Sequence, residues 1–211
     1  MTNEEEELRL AAVNNNVYAI RYINDPTESV KLAAVKSNGN MLQYIYDPSE
    51  EVIMEALKWA GSTIQFVDSP TDEMKLESIK HGGLYFIMND ETLTDEMKLE
   101  AVKFNSSNIQ YIQNPSEEVI MEALKQDGRV IKYIDNPTDE MKLEAIKHGD
   151  YNIMDDETLT EEMKLEAVKF NGHNIQYIKD PSEEIIMEAV KQDGSSLNYV
   201  ANPDPIKYIE S

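Results

Sequence analysis

Residues 114–134 read NPSEEVIMEALKQDGRVIKYI, and this stretch decides the fold. Asn114-Pro115 is a helix-start signal, because a polar side chain can cap orphan amides and Pro tolerates the first helical position. Ser116 is the alternative cap, the role expected of Thr94 and Thr160, which lack the Pro. Glu117 and Glu118 then complement the positive end of the helix dipole. Val119, Met121, Ala123 and Leu124 make an apolar arc roughly 200° wide at about 100° per residue, suited to a helix packed on two sides. Lys125 sits near the negative end, and Gly128 reads as a left-handed stop. Val130, Ile131, Tyr133 and Ile134 follow as a shorter apolar segment.

That short segment is the ambiguous part, since β-branched and aromatic residues also favour strands. Helix is the preferred reading, because no hairpin signals accompany the recurring segments. The whole stretch repeats. Thr27, Ser49, Thr71, Thr94, Ser116, Thr138, Thr160 and Ser182 are equivalent, spaced 22, 22, 23, 22, 22, 22 and 22 residues apart. One step back is Glu5, and Leu10-Ala11-Ala12-Val13 returns as Leu32-Ala33-Ala34-Val35, which makes nine repeats. Each repeat is a longer helix, a Gly or Asn turn and a short second helix of about two turns. Neither helix buries its apolar face alone, so neighbouring repeats must stack. The expected fold is all-α, an α-solenoid.

A longer period lies above the first. Residues 71–127 and 138–193 match with twelve differences, one of them a one-residue gap. Duplication of a 66-residue segment explains this, and it groups the repeats as triplets 1–67, 68–134 and 135–200 with a tail at 201–211. The chain is expected to be one repeat domain over 1–211. Glu4 to Glu7 read as an N-terminal cap and Asn202-Pro203-Asp204-Pro205 as an early stop, an expectation of a monomer or dimer rather than an open polymer.

LAAVKSNGNMLQYI (32–45) and LEAVKFNGHNIQYI (165–178) resemble an uncharacterised family of tandem helical repeats built on L-A-A-V-K-x-N-G-x-x-L-x-Y. The resemblance spans roughly residues 8–200 and is most specific in the N-G-x-x-[LI]-x-Y element. It implies stacked helical pairs, in a family spread among large viruses, protists and intracellular bacteria, and it carries no catalytic activity. HGGLYFIM (81–88) and HGDYNIM (148–154) depart from the pattern by losing the NG turn.

Composition removes several function classes. With 41 acidic and 19 basic residues the net charge is −22, which opposes direct nucleic-acid and anionic-membrane binding. No apolar run reaches membrane-spanning length and no basic, apolar leader opens the chain, so a cytoplasmic protein is expected. Zero Cys excludes thiolate chemistry and Cys-ligated metals.

The remaining chemical signals each have a plainer explanation. His81 and His148 sit one long period apart at helix ends beside Gly, and with His173 they lack the spacing of metal ligands. Asn89-Asp90-Glu91 and Asp155-Asp156-Glu157 lack the alternating ligands and central Gly of a calcium loop. No nucleophile elbow, phosphate loop or dinucleotide fingerprint is present, and the paired carboxylates recur in every repeat. No enzyme, metal or cofactor is expected. The Tyr column (Tyr22, Tyr44, Tyr111, Tyr133, Tyr177, Tyr199, with Phe66 in register) reads as packing between repeats, with hydroxyls at the edge. Met74, Met97, Met141 and Met163 recur at one core-facing register, and Trp59 is a partly exposed candidate anchor.

Charge layout is the informative feature. Fourteen of the nineteen basic residues fall in two columns, Arg9, Lys31, Lys75, Lys98, Lys142 and Lys164 in one, Lys36 through Lys191 in the other. Acidic doublets open the helices: Glu50-Glu51, Asp72-Glu73, Asp95-Glu96, Glu117-Glu118, Asp139-Glu140, Glu161-Glu162 and Glu183-Glu184. Capping and solubility explain their positions, but solubility needs a net charge of only about 2–8. The leading expectation is a non-enzymatic interaction module whose acidic ridge binds a basic protein or the basic groove of a nucleic-acid-binding complex. Its sharper form is a nucleic-acid mimic inhibiting a nuclease or defence complex, as a viral or mobile-element anti-defence protein would. The alternative is a structural spacer or self-associating scaffold.

Overall fold

Each α-helix of the protein starts directly after a Ser or Thr. The structure is a computed structural model and describes residues 2–149 and 158–200; Asp155–Glu157 and the tail 201–211 lie outside the described residues. The α-helices are α1 (Asn3–Asn15), α2 (Glu28–Ser37), α3 (Glu50–Trp59), α4 (Asp72–Lys80), α5 (Asp95–Phe104), α6 (Glu117–Gln126), α7 (Asp139–Lys147), α8 (Glu161–Phe170) and α9 (Glu183–Gln192). Their N-caps are Thr2, Thr27, Ser49, Thr71, Thr94, Ser116, Thr138, Thr160 and Ser182. The Asn-Pro and Asp-Pro pairs are therefore not caps. Asp25, Asp47, Asn114, Asn136 and Asp180, each before a Pro, have φ between 46° and 53°. Asn and Asp are the side chains that tolerate this left-handed backbone, which turns the chain into the next cap.

The short second segments are helical but of the tighter 3-10 type. Gly39–Tyr44, Gly61–Phe66, Gly128–Tyr133 and most of their equivalents run six residues, two turns at about three residues per turn, whereas Leu84–Phe86 runs three. That period decides which side chains go inside. Gly39, Leu42 and Ile45 fall on one face and all three are buried. Tyr44 lies one residue off that face and is exposed. The Tyr column expected between repeats thus sits largely on the surface.

The left-handed stop expected at Gly128 is also corrected. Asp127, not Gly128, ends α6, and it does so in extended backbone, φ −155°. Its side chain accepts from the Arg129 amide and caps the short helix that follows. Gly128 is required for closeness: a Cβ there would stand 2.0 Å from the Ala145 carbonyl oxygen of the next repeat. True left-handed glycines occur where the NG turn is lost, at Gly82 (φ 81°) and Gly149 (φ 92°).

The chain divides into two compact units, Met1–Pro115 and Ser116–Ser211. In the first, α1 to α5 pack in chain order, with the short helices lying along the same stack. In the second, α6 to α9 do the same. All described elements are helices, so the fold is an all-α helical-repeat solenoid. The core is aliphatic. Val119, Ile120, Ala123 and Leu124 are buried in α6, while Met121 is only half-buried, one position off the expected arc. Met74, Met97, Met141 and Met163 are buried at their common register, as expected.

Candidate functional site

The fourteen carboxylates of the seven doublets occupy the first two residues of α3 to α9, and every one is exposed. None is in capping-box position, which is taken by apolar residues such as Val52, Met74 and Ile185. Only α1 has that box, from Thr2 and Glu5. The doublets therefore touch the helix ends through the dipole alone.

Within each unit a second contact fixes how these ends lie. The Thr27 hydroxyl, at the start of α2, donates to Glu6 Oε1 of α1 at 2.8 Å. The Ser49 hydroxyl, at the start of α3, donates to Glu28 Oε1 of α2. In the second unit the Glu161 carboxyl is held below its usual range, first by Lys164 and then by the nearby Ser182 hydroxyl. In the first unit the caps of α2 and α3 thus clamp an acid of the helix before, so the starts of α1, α2 and α3 lie side by side on one edge. Sequence reading assigned Ser and Thr to capping alone; the 21-residue spacing from an upstream Glu was the available signal.

The first basic column works along the same seam. Arg9 Nη1 donates to the Asp25 carbonyl at 3.3 Å, Lys31 Nζ to that of Asp47 at 3.0 Å and Lys98 Nζ to that of Asn114 at 3.3 Å. These cations hold the left-handed turn of the following repeat. They also reach back to the first acid of their own helix: Lys75 to Asp72 at 3.7 Å, Lys98 to Asp95 at 3.9 Å and Lys164 to Glu161 at 3.0 Å. The second acids, Glu51, Glu73, Glu96, Glu118, Glu140, Glu162 and Glu184, make no ion pair among the described residues. The second basic column lies in the last helical turns, and Lys58, Lys103 and Lys169 pair there with Glu55, Glu100 and Glu166.

Where the repeat pattern breaks in the first unit, a cleft of about 360 Å³ opens, lined by Asp90, Glu91, Lys98 and Asn114 among others. Asp90 and Lys98 there are internally engaged, and Glu91 is exposed. Asp90 accepts from Lys75 at 2.7 Å and from the Thr92 hydroxyl and amide, and these bonds lower its pKa to about 2. Lys142 makes the matching bond to Thr158 in the second unit. His81 and His148 face Glu77 and Glu144 of their own helices at 3.2 Å. His173 meets the Ser195 hydroxyl at 2.9 Å and the Tyr199 ring edge-on. No group of three or more metal-ligating side chains converges among the described residues, and no described helix is long and apolar enough to cross a membrane.

The aromatic side chains lie largely at the surface, and Trp59 is partly exposed, as expected. Trp59 is 48 % exposed, with its Cβ packed over Gly39 of the preceding repeat. The Tyr column ranges from 38 % exposed at Tyr44 to 82 % at Tyr22, and Phe66 alone is half-buried. Thirteen of the fourteen described aromatic residues are exposed, and none is in the core.

A search of curated proteins and one of solved structures each return no match. Residues 94–142 and 160–203 match a family model described as Domain of unknown function (DUF4116). The two segments open at Thr94 and Thr160, equivalent caps one 66-residue period apart, so the likeness follows the internal duplication of an uncharacterised, repeat-like family.

Proposed function

We propose that this protein is a non-enzymatic interaction module whose acidic edge binds a basic macromolecular partner. The observation that supports it is the placement of the doublets: helix starts, each presenting two exposed carboxylates, the second unpaired. Packed helices lie about 8–10 Å apart, and because first acids such as Asp72, Asp95 and Glu161 face a Lys, the edge carries about one unpaired negative charge per 8–10 Å. That is sparser than the roughly 3.4 Å spacing of charges along a nucleic-acid strand, but it is regular. A regular row of negative charge favours the basic groove of a nucleic-acid-handling complex as the partner. Inhibition of a nuclease or defence complex in the cytoplasm follows from occupying that groove. The viral members of the family it resembles fit such a role.

Affinity purification from the native host with mass spectrometry identifies the partner. Binding is then compared with a variant whose doublets at 117–118, 139–140, 161–162 and 183–184 are Gln or Asn. That change removes eight charges and keeps the caps. The expected result is binding that falls steeply with salt and collapses in the variant, because exposed charges are screened over about 8 Å at physiological ionic strength. Binding that survives both the substitutions and half-molar salt unchanged sinks the proposal.

A further inference from the structure

The 3-10 helices form a second surface, chemically opposite to the acidic edge. In the first unit they read VYAIRY, GNMLQY, GSTIQF, LYF and SSNIQY, without a single Asp or Glu in a chain that has 41. They stack in chain order, and the Tyr85 and Tyr111 rings carry the row on with an edge-to-face contact at 6.2 Å. Their outward side chains are rings set beside Arg21, Gln43, Gln65 and Gln110, and exposed large aromatics are among the side chains most used as interface anchors. One of these rings already holds a cation: the Arg21 guanidinium lies 4.7 Å from the Tyr44 ring centre, reaching across from the repeat before. In the second unit Lys132 lies 4.8 Å from the ring centre of its chain neighbour Tyr133. Gln43 and Gln65 follow Arg21 at the same register, and their amide donors are taken by the Asn40 and Ser62 carbonyls. No cation covers Tyr22 or Tyr111 among the described residues.

From this we infer that the aromatic row of the first unit is a docking surface for an arginine-bearing extended segment of a basic partner, gripped ring by ring through guanidinium–aromatic stacking. The inference rests on the basic-partner reading and adds where, and by which side chains, that partner is held. The acidic edge supplies a long-range field, whereas ring contacts act only within about 6 Å and favour Arg over Lys. A net charge of −22 makes arginine the fitting occupant and nucleic-acid bases, which also stack on rings, the poor one.

The test uses the full chain and labelled deca-arginine, deca-lysine and oligouridine probes, read by fluorescence anisotropy at about 0.15 M salt. The variants are a triple Tyr22→Leu, Tyr44→Leu, Tyr111→Leu, the matching triple to Phe, and the doublet variant above, each checked by circular dichroism. Deca-arginine is expected to bind more tightly than deca-lysine. The Leu triple should weaken deca-arginine about tenfold and erase the preference, while the Phe triple keeps it. The doublet variant should weaken both peptides alike. If both peptides bind without arginine preference, if the Leu triple leaves arginine affinity unchanged, or if oligouridine binds through the tyrosines, this inference is overturned and the acidic edge is untouched. If neither peptide binds the parent chain, the basic-partner reading itself falls and takes this inference with it.

Discussion

Gly128 and Gly194 occupy the same position in two repeats of the second unit, yet the structure predicts opposite outcomes when each becomes Ala. Neither has a left-handed φ, so both gain from the less flexible unfolded chain, about 0.4–1 kcal/mol. At Gly194 nothing lies within 4 Å of the added methyl among the described residues, and the gain stands. At Gly128 the methyl would meet the Ala145 carbonyl oxygen at 2.0 Å, its carbon at 2.8 Å and its Cα at 3.0 Å. These are backbone atoms of α7, so no side chain can swing aside. The same seam carries the hydrogen bond from the Gly128 amide to the His148 carbonyl at 3.1 Å, which any separation of the repeats stretches. Overpacking costs about 1–3 kcal/mol, and a rigid obstacle puts this site at the upper end. After the unfolded-state gain the net loss is about 2 kcal/mol. For a chain of this length that lowers the melting midpoint by about 4–8 °C, whereas Gly194→Ala raises it by about 1–4 °C. Thermal melts followed by far-ultraviolet circular dichroism decide between them. Equal midpoints for the two variants would show that Gly128 is not there for backbone proximity.

Three further outcomes follow from the packing and the charges. Leu124→Ala, at a fully buried side chain, should cost about 2–5 kcal/mol, while the adjacent exposed Lys125→Ala costs under about 1 kcal/mol, and chemical denaturation measures both. Ser49→Ala removes both a cap bond to Val52 and the clamp to Glu28, so it should lose about 1–2 kcal/mol, clearly more than Ser116→Ala, where no cap bond is formed. Asp90 has a folded pKa of about 2 against an ordinary carboxylate value, so its stabilisation is present at neutral pH and fades as acid takes pH from the unfolded value near 3.9 down through 2. Asp90→Asn should therefore be less stable than the parent at neutral pH, with the gap closing at pH 2; a gap that stayed constant in acid titration melts would contradict the assignment.

Much of this architecture was legible because a solenoid writes its core into the sequence once per repeat. Fixed spacing of Ser or Thr, an apolar quartet and Asn-Gly or Asp-Gly gave the helix count, the stacking and the buried Met register. What the sequence hid is how far the rings reach outside. Met41, Leu42, Val130 and Ile131 fill the core, and Tyr44 and Tyr133, expected to pack between repeats with hydroxyls at the edge, are 38 % and 39 % exposed. Gly128 reads two ways, because a left-handed stop and a close backbone approach ask for the same residue. The acidic doublets were placed correctly on exposed helix starts, but the clamp between repeats depends on three-dimensional register that no single repeat displays.

The clamp bears directly on why the doublets are there. Helix starts lying side by side bring like charges together, and each exposed carboxylate gains only about 0.3–1 kcal/mol from the helix dipole before screening. The first acid of a doublet has compensation: Asp72, Asp95 and Glu161 each face a Lys three residues on, and the nearby Ser182 hydroxyl also helps hold the Glu161 carboxyl below its usual range. The second acid has none of this. Glu51, Glu73, Glu118 and Glu162 form no ion pair among the described residues and no capping box. A sequence shaped for stability alone would place Gln or Ala there at little loss, and one shaped for solubility would scatter the charges. Repetition of this unpaired carboxylate at the same helix position within each unit, relieved only at Glu51 and Glu184 by the more distant Lys58 and Lys169, is instead what a partner with spaced positive charges would select. If that argument holds, converting only the second acids to Gln should leave the melting midpoint unchanged or raise it slightly, while weakening partner binding as much as converting the better-compensated first acids or more. If the second-acid substitutions instead destabilise the fold and spare binding, the carboxylates belong to the helices and not to the surface.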